Sequence, residues 1–355
     1  MAYIEVLEAD GLTAEQWDSM LFEEYIGQMW WKNVMGASGD SIVQVNEDLT
    51  GKPGSAVTLA LRGLMEGGKV TGNSTGIGNE GTLPLRNFRI VVDNVRHLIR
   101  VEDIPMTQQR TTFNVLMAAK DALNEKNSLD LDEAITIALS DVTTGRVRGR
   151  YLYGAADSNW NATHATALTN IDNTDDQLTL DIINIAKRKA RNTTGANLAS
   201  SRVRPMRIKN GKNFEEWFMF VGQDLAIRDM IKNDAAFNNR HLLIPPQSNA
   251  SSPLFTGSSF KGNAEGVLLY EYERLDLISS TIQTAHNLLL GAQAGVVAWA
   301  QRPKFGEEFS DLRHKVTYET HEIRGVGKVI WDRTTEGGTN EDGGVVHVFT
   351  AAVAD

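Results

Sequence analysis

Residues 52–142 constrain this chain more than any other stretch. A strand-like run from Ala56 to Leu61 leads into a Gly-rich polar tip, Gly63 to Gly81, and a long strand returns from Asn87 to Val101. In the return strand Phe88, Ile90 and Val92 alternate with Arg89 and Val91. After Asp93-Asn94 the alternation resumes, with Val95, His97, Ile99 and Val101 on one face and Arg96, Leu98 and Arg100 on the other. Period two over this length predicts a strand, and the Asp93-Asn94 break is a bulge or a bend. An isolated two-stranded ribbon is marginal in water. This one is too polar at its tip to close a core, and nothing nearby in the sequence offers it a surface. The expectation is that it lies on a neighbouring subunit.

After Pro105 the apolar spacing changes to three-to-four and stays helical to about Val142. Phe113, Leu116, Met117 and Leu123 share one side, and Leu131, Ile135, Ala138 and Val142 continue a stripe. Asn124, Asn127 and Ser128 weaken the middle, which leaves one long bent helix or two shorter ones. A continuous helix would span about 50 Å, more than a compact domain of this size needs.

Bulk properties narrow the function classes. The 355 residues, 41% hydrophobic and 23% charged, suffice for one large or two to three small units. A net charge of −10 argues against nucleic-acid binding by bulk electrostatics. There is no cysteine, so disulfides, thiolate metal sites and cysteine nucleophiles are excluded. The first residues lack a basic-then-apolar signal pattern, and no window approaches eighteen uninterrupted apolar residues, so no membrane span is expected. Charge is uneven: residues 1–50 carry ten acids and one base, Lys32, whereas residues 146–212 carry twelve bases and five acids. These are two solvated faces, or an acidic arm that docks on a basic face.

Residues 10–34 are expected to form a helix, with Thr13 and Gln16 in capping-box spacing and Trp17, Leu21, Tyr25 and Met29 on one stripe. Trp30, Trp31 and Met35 add a dense apolar end, which is core or an anchor on a partner. Gly36 to Pro53 is loop with a short strand at Ser41–Val45. Residues 144–176 are polar loop with short strands such as Arg150–Tyr153. Leu178–Arg191 is a helix with Leu178, Ile182, Ile185 and Ala186 inward and Lys187, Arg188, Lys189 and Arg191 in its last turn, where the helix dipole favours cations. Arg207–Lys212 and Glu216–Val221 are strands, Gln223–Asn233 a short helix and Gly266–Glu273 a strand. Thr281–Ala300 is expected to be a helix carrying Ala285, Leu288, Ala292, Gly295 and Trp299, with Gly291 and Gly295 allowing close backbone approach. Lys315–Ile323 and Gly327–Asp332 are strands, Glu336–Gly344 an acidic Gly loop and Val345–Val353 the terminal strand.

No catalytic constellation emerges. Walker A, G-x-S-x-G and H-E-x-x-H patterns are absent. Gly76-Ile-Gly78-Asn79-Glu80-Gly81 fits G-x-G-x-x-G, but Pro84 leads into a strand, so no helix N-terminus faces a phosphate. The seven histidines are scattered. His314 and His321 fall on opposite faces of a strand pattern, so they share no metal. Trp217 and Phe218 read as packing residues. No catalytic, cofactor or metal residue is assigned.

The run Arg86 to Val101, followed by Met106-Thr-Gln-Gln109-Arg110-Thr-Thr-Phe113, resembles the signature of phage major capsid proteins of the family typified by the N-four podovirus. Arg96-His97 and Gln109-Arg110-Thr111 carry the match. Gly51-Lys-Pro-Gly54, Phe220-Val-Gly222 with Leu225 and Arg228-Asp229, Gly266 to Glu271, Leu289-Leu-Gly291-Ala-Gln293 and Gly325-Val-Gly-Lys328 add to it in order. Residues 143–176 and 244–262 depart from the pattern.

The resemblance implies an α+β Hong Kong 97-type capsid fold. Residues 1–50 would be an N-terminal arm and 51–105 the extended E-loop hairpin. Residues 106–220 would be a peripheral domain with a spine helix, 221–305 an axial domain, and 306–355 return strands of the peripheral domain. It implies a major capsid protein that assembles with itself, through hexamers and pentamers, into an icosahedral shell around double-stranded DNA held non-specifically. Scaffold, portal and decoration proteins are the partners it leaves open, with no membrane and no cofactor, in a virion assembled in the host cytoplasm. An encapsulin-like nanocompartment shares the fold, a soluble oligomeric enzyme would need a clustered polar site, and a tail or adhesion protein would need more strand and fewer long helices.

Overall fold

A computed structural model describes residues 29–49, 53–62, 69–81, 83, 85–110, 115–192, 201–210, 213–234, 237, 259–279, 281–333 and 339–353. A 3-10 turn at Trp30–Val34 leads into β1 (Met35–Gly36) and β2 (Val43–Asn46). β3 (Ala56–Arg62) and β4 (Leu85–Val91) form the ribbon, and β5 (Asp93–Val101) continues β4 after a break at Val92. Helices α1 (Ile104–Arg110) and α2 (Val115–Ser140) follow, then β6 (Tyr151–Tyr153), α3 (His164–Thr169) and α4 (Leu180–Arg191). β7 (Met206–Asn210) and β8 (Asn213–Gly222) precede α5 (Asp224–Asn233). The rest is strand: β9 (Phe260–Ala264), β10 (Val267–Glu271), β11 (Leu277–Ser279), β12 (Gln283–Leu290), β13 (Gly295–Ser310), β14 (Lys315–Lys328), β15 (Ile330–Trp331), β16 (Glu341–Asp342) and β17 (Val345–Ala351).

Two sheets organise the subunit. One has five strands in the order β1-β2-β13-β14-β5, and its centre is the long antiparallel hairpin of β13 and β14. The other has eight, running β6-β17-β12-β8-β10-β9 with β11 on β12 and β7 on β8. Helix α2 joins them: its Leu131, Ile135 and Leu139 share one apolar cluster with Val297 and Trp299 of the first sheet and Met219, Val221, Leu288 and Leu290 of the second. The other face of the second sheet is covered by α4 and α5, through Ile182, Ile183, Ala186, Ile227 and Met230 against Phe218, Phe220, Leu289 and Val346.

The helix expected at Thr281–Ala300 is instead β12, a turn and the start of β13. Every β12 residue after Gln283 is buried, because Leu288 and Leu290 face α2 while Ala285 and Leu289 face the helices on the other side. A strand covered on both faces loses its alternation, and its sequence then reads like a small-residue helix. Close approach at Gly291 does hold: a Cβ there would stand 2.4 Å from the Arg204 carbonyl oxygen.

The weak middle of α2 has the opposite meaning from that expected. Asn124, Asn127, Ser128, Asp132 and Thr136 are all buried. Asn127 Nδ2 donates to Thr320 Oγ1 at 2.8 Å, and the Asp132 carboxylate accepts from the Trp30 amide at 2.9 Å. Poor helix formers are kept because they pin neighbouring elements. Met117, expected inward, is exposed. Residues 111–114, where one helix would pass into two, lie outside the described residues, as do residues 10–28 of the expected N-terminal helix. Residues 30–34 form a 3-10 turn rather than α-helix, with Trp31 and Val34 buried. Trp31 Nε1 donates to Thr136 Oγ1 at 3.2 Å, so this apolar end is core.

Candidate functional site

Nothing nearby in the sequence was expected to seat the ribbon of β3 and β4, yet its root rests on its own subunit, mostly on residues two hundred or more positions away. Ala56 pairs with Val91 and Arg62 with Leu85. One face of this pair carries Val57, Leu59 and Leu61 with Phe88 and Ile90. It packs on Leu49, Val296, Ala298 and Val329, which closes a separate apolar cluster. The opposite face, with Thr58, Ala60, Asn87, Arg89 and Val91, is exposed. Beyond the root, residues 69–80 are all exposed, including the G-x-G-x-x-G glycines up to that point. In this tip Gly78 N–H donates to Glu80 Oε2 at 2.8 Å, a local turn contact.

The Asp93-Asn94 break is a change of sheet. β4 pairs with β3, whereas Asp93 to Val101 pair with β14, from Arg324 to Val316. On β14 the even residues face α2: Val316 and Tyr318 pack with Ala119 and Leu123, and Arg324 pairs with Asp130. The odd positions Gly325 and Gly327 face the ribbon instead, against Ile90, Val91 and Phe88.

Seven residues of the runs that carry the resemblance, Arg96, His97, Gln109, Arg110, Gly222, Glu271 and Gly291, do not gather into one site. Arg96 makes a two-pronged pair with Glu319 on the outer face of β5 and β14, at 2.6 and 2.7 Å. Hydrogen bonding from Arg96 holds the Glu319 carboxyl below its usual range. His97 points the other way, 3.7 Å from Asp130 of α2. Gln109 and Arg110 are exposed at the end of α1. Gly222 and Glu271 are register partners at the ends of β8 and β10, and Glu271 pairs with Lys261 at 2.6 Å. A Cβ at Gly222 would meet Ile227 Cδ1 at 2.6 Å, so the glycine lets α5 pack close. Gly291 lies in the turn between β12 and β13.

Sequence reading missed a buried ionic cluster at the seam between the sheets. Lys328 Nζ, at the end of β14, stands 2.7 Å from Asp342 Oδ1, and both side chains are at most 2% exposed. Lys328 also donates to the Thr144 carbonyl at 3.2 Å. Asp342 Oδ2 is 3.2 Å from His347 Nε2, and His347 Nδ1 is 2.9 Å from His286 Nε2. Arg150 Nε donates to the Asp342 carbonyl at 2.9 Å, and Glu341 Oε2 accepts from Ser201 Oγ at 2.9 Å. Burial pushes the Asp342 carboxyl up to about 7, against the pull of Lys328. Burial holds both histidines well below their ordinary value, and it lowers Arg150 to about 10. The scattered histidines thus include one adjacent pair, and two acids of the expected acidic Gly loop, Glu341 and Asp342, are buried. The signal was faint: His347 sits inside Val-Val-His-Val-Phe and His286 before Asn-Leu-Leu-Leu.

Lys189 departs from the expected solvated cluster in the same way. It turns inward to Asp157 Oδ1 at 2.8 Å and the Arg148 carbonyl at 3.1 Å, while Arg188 and Arg191 stay exposed. Phe218 is buried and Trp217 packs against the core, as packing residues should. Among the described residues no group of three or more histidines and carboxylates could hold a metal ion, and no helix is long and apolar enough to cross a membrane.

The sequence profile described as phage capsid protein matches residues 5–354. Three solved structures are similar along nearly the whole chain. The capsid asymmetric unit of cyanophage Pam1 has 24% identity and a TM-score of 0.72, covering 92% of each chain. The capsid of Ralstonia phage GP4 has 19% identity and a TM-score of 0.75, again covering 92% of each. The capsid of Helicobacter pylori bacteriophage KHP30 has 14% identity and a TM-score of 0.68, covering 90% of this chain and 89% of that one. At these identities the likeness is one of fold. No curated protein matches the chain.

Proposed function

The chain belongs to the phage capsid protein family, and from that premise we propose how it works as the major capsid protein of a tailed phage, with a Hong Kong 97-type fold. It is a structural protein that associates with its own copies into a shell. The finer reading is that hexamers and pentamers close an icosahedral head around double-stranded DNA. The polypeptide does no enzymatic work and is part of the virion, assembled in the host cytoplasm with scaffold and portal proteins as partners.

One observation carries the assembly reading. Among the described residues of the ribbon the buried ones lie at its root, at Val57, Leu61 and Ile90, and every residue from 69 to 80 is in solvent. A ribbon of this kind gains nothing from its outer half within the subunit. Laid over a neighbour, that half acquires a second surface and joins subunits. In this reading residues 51–105 are the extended hairpin, residues 106–220 carry α2 as the spine of a peripheral domain, 221–305 form the axial domain and 306–355 return to the periphery. Residues 1–50 are an acidic arm tied to the body through Trp30 and Trp31. Contacts are individually modest and add up through symmetry, because each patch is used once per copy in a closed lattice.

Negative-stain electron microscopy with light scattering tests the reading. The full chain, alone or with its phage's scaffold, is expected to give closed shells. Deleting residues 64–82 is expected to give a folded subunit, with unchanged circular dichroism, that makes none. Full-sized shells from the deletion would overturn the role of the ribbon.

A further inference from the structure

The root of the ribbon rests on two glycines in the interior of a strand, and glycine weakens strand interiors unless another backbone must come close. Here one does. A Cβ on Gly325 would stand 2.4 Å from the Val91 carbonyl oxygen and 2.8 Å from Ile90 Cγ2. A Cβ on Gly327 would stand 3.3 Å from Phe88 Cζ. Both glycines adopt ordinary strand conformations, since neither has a positive φ. Their lack of a side chain therefore serves space and not backbone freedom. Gly306, in the facing strand and paired with Glu319, is different: nothing stands closer than 4.0 Å to its Cβ position.

We propose that Gly325 and Gly327 form a seat that sets the angle at which the ribbon leaves the subunit, and that this angle sets whether and at what curvature subunits close into a shell. The glycines are positioning residues. They act through β4. The proposal rests on the reading that the ribbon spans a neighbour, and it adds the element that aims it.

The geometry gives the size of the effect. Relieving a contact of 2.4 Å requires the ribbon root to lift by about 1 Å at Val91. The footprint from Ile90 to Phe88 is about 7 Å, and β4 from Val91 to Leu85 about 20 Å, at roughly 3.3 Å per residue. A lift of about 1 Å at Val91 that pivots on Phe88, about 10 Å away, moves Leu85, about 10 Å beyond the pivot, by about 1 Å in the opposite sense. The swing grows toward the tip.

The absence of cysteine makes the swing measurable. Leu85→Cys and Ile137→Cys, both at exposed positions, carry spin labels on the ribbon and on α2 of the full chain. Labelled subunits are diluted into unlabelled ones so that only distances within one copy are read. Gly325→Ala is expected to shift the mean distance by about 1 Å and to abolish shells or change their diameter, with circular dichroism unchanged. Gly306→Ala should alter neither. An unchanged distance, or shells of wild-type diameter, in folded Gly325→Ala protein overturns the proposal. If Gly325→Ala does not fold, Gly327→Ala decides. It presses on the Phe88 ring and should shift the distance, and adding Phe88→Leu should return it; the absence of either change overturns the seat. The deletion of residues 64–82 separates the two levels. Loss of shells there, with normal shells from Gly325→Ala, removes the seat and keeps the ribbon, whereas full-sized shells from the deletion remove the ribbon itself.

Discussion

Replacing Lys328 by Met should destabilise the subunit by an amount that depends on pH in a direction the structure dictates. Lys328 and Asp342 are 2.7 Å apart and excluded from water. Removing one partner of a buried pair ordinarily costs about 3–5 kcal/mol, because the other is left as an uncompensated charge. Asp342 has an escape, since burial already holds its carboxyl at about 7 and it can take up a proton. Near neutrality the cost of Lys328→Met should therefore fall below that range.

The sign follows from linkage. The Asp342 pKa is raised on folding, from about 3.9 in an unfolded chain to about 7. Its share of the stability is therefore fully present below about pH 4, declines as pH rises, and levels off above 7, where the folded carboxyl has also ionised. Without Lys328, whose charge lowers this pKa, the carboxyl stays neutral to higher pH. The variant then keeps losing about 1.4 kcal/mol per pH unit where the wild type has levelled off. The difference between the two proteins should therefore grow as pH rises from 7 to 9, by at most about 1.4 kcal/mol per pH unit. His286 and His347 do not interfere, because burial keeps both neutral throughout this window. Arg150, lowered to about 10, stays charged in it. Urea unfolding of both proteins at pH 7, 8 and 9 reads the difference directly. A constant gap across the series would refute the reasoning, for it would mean that Asp342 does not answer to Lys328.

Two further expectations concern the pins on α2. Trp31, fully buried and bonded to Thr136, should cost about 3–5 kcal/mol as Trp31→Ala and about 1 kcal/mol as Trp31→Phe, which loses mainly the hydrogen bond; equal urea midpoints for the two variants would show that packing is not what holds it. Arg324→Met removes the cation 3.0 Å from Glu322, whose side chain is 4% exposed and keeps its hydrogen bond from Trp299 Nε1, so a loss of about 3–5 kcal/mol is expected. Adding Glu322→Leu should recover part of it, and a double variant no more stable than the single would count against a charge-based explanation.

The contrast between what was legible in the sequence and what was not has a physical pattern. Elements with one wet face declared themselves: the alternation of β4 and β5, the apolar stripe of α4 and the short α5 after Phe220-Val-Gly222 lie where periodicity put them. β12 did not, because both its faces are dry and nothing alternates. Polar residues misled in both directions. Asn127 read as a helix weakener and is a pin, while Glu341 and Asp342 read as part of an acidic Gly loop and are buried. Each owes its role to a partner far along the chain, Thr320 for Asn127 and Lys328 for Asp342, and such pairs leave no local spacing to find. The ribbon was legible as a ribbon, but its seat depends on β14 folding back over two hundred residues later.

That distance explains why so much converges on five residues of β14. Arg324 reaches Asp130 on the spine helix, Gly325 and Gly327 receive the ribbon on the opposite face, and Lys328 enters the seam with the second sheet. Alternation along a strand makes this possible, since even and odd positions serve opposite faces. In the proposed assembly, a load applied to the ribbon by a neighbouring subunit would be delivered at the glycines. It could pass to α2 through Arg324 and, by way of Lys328, Asp342 and His347, to the eight-stranded sheet. Close-packed interiors transmit such displacements and do not absorb them. A ribbon seated elsewhere could join subunits equally well, but its angle would not be tied to the spine helix and to the seam. The Gly-Val-Gly-Lys run is thus the place where a shell subunit of this design turns the stiffness of its core into a defined direction of contact.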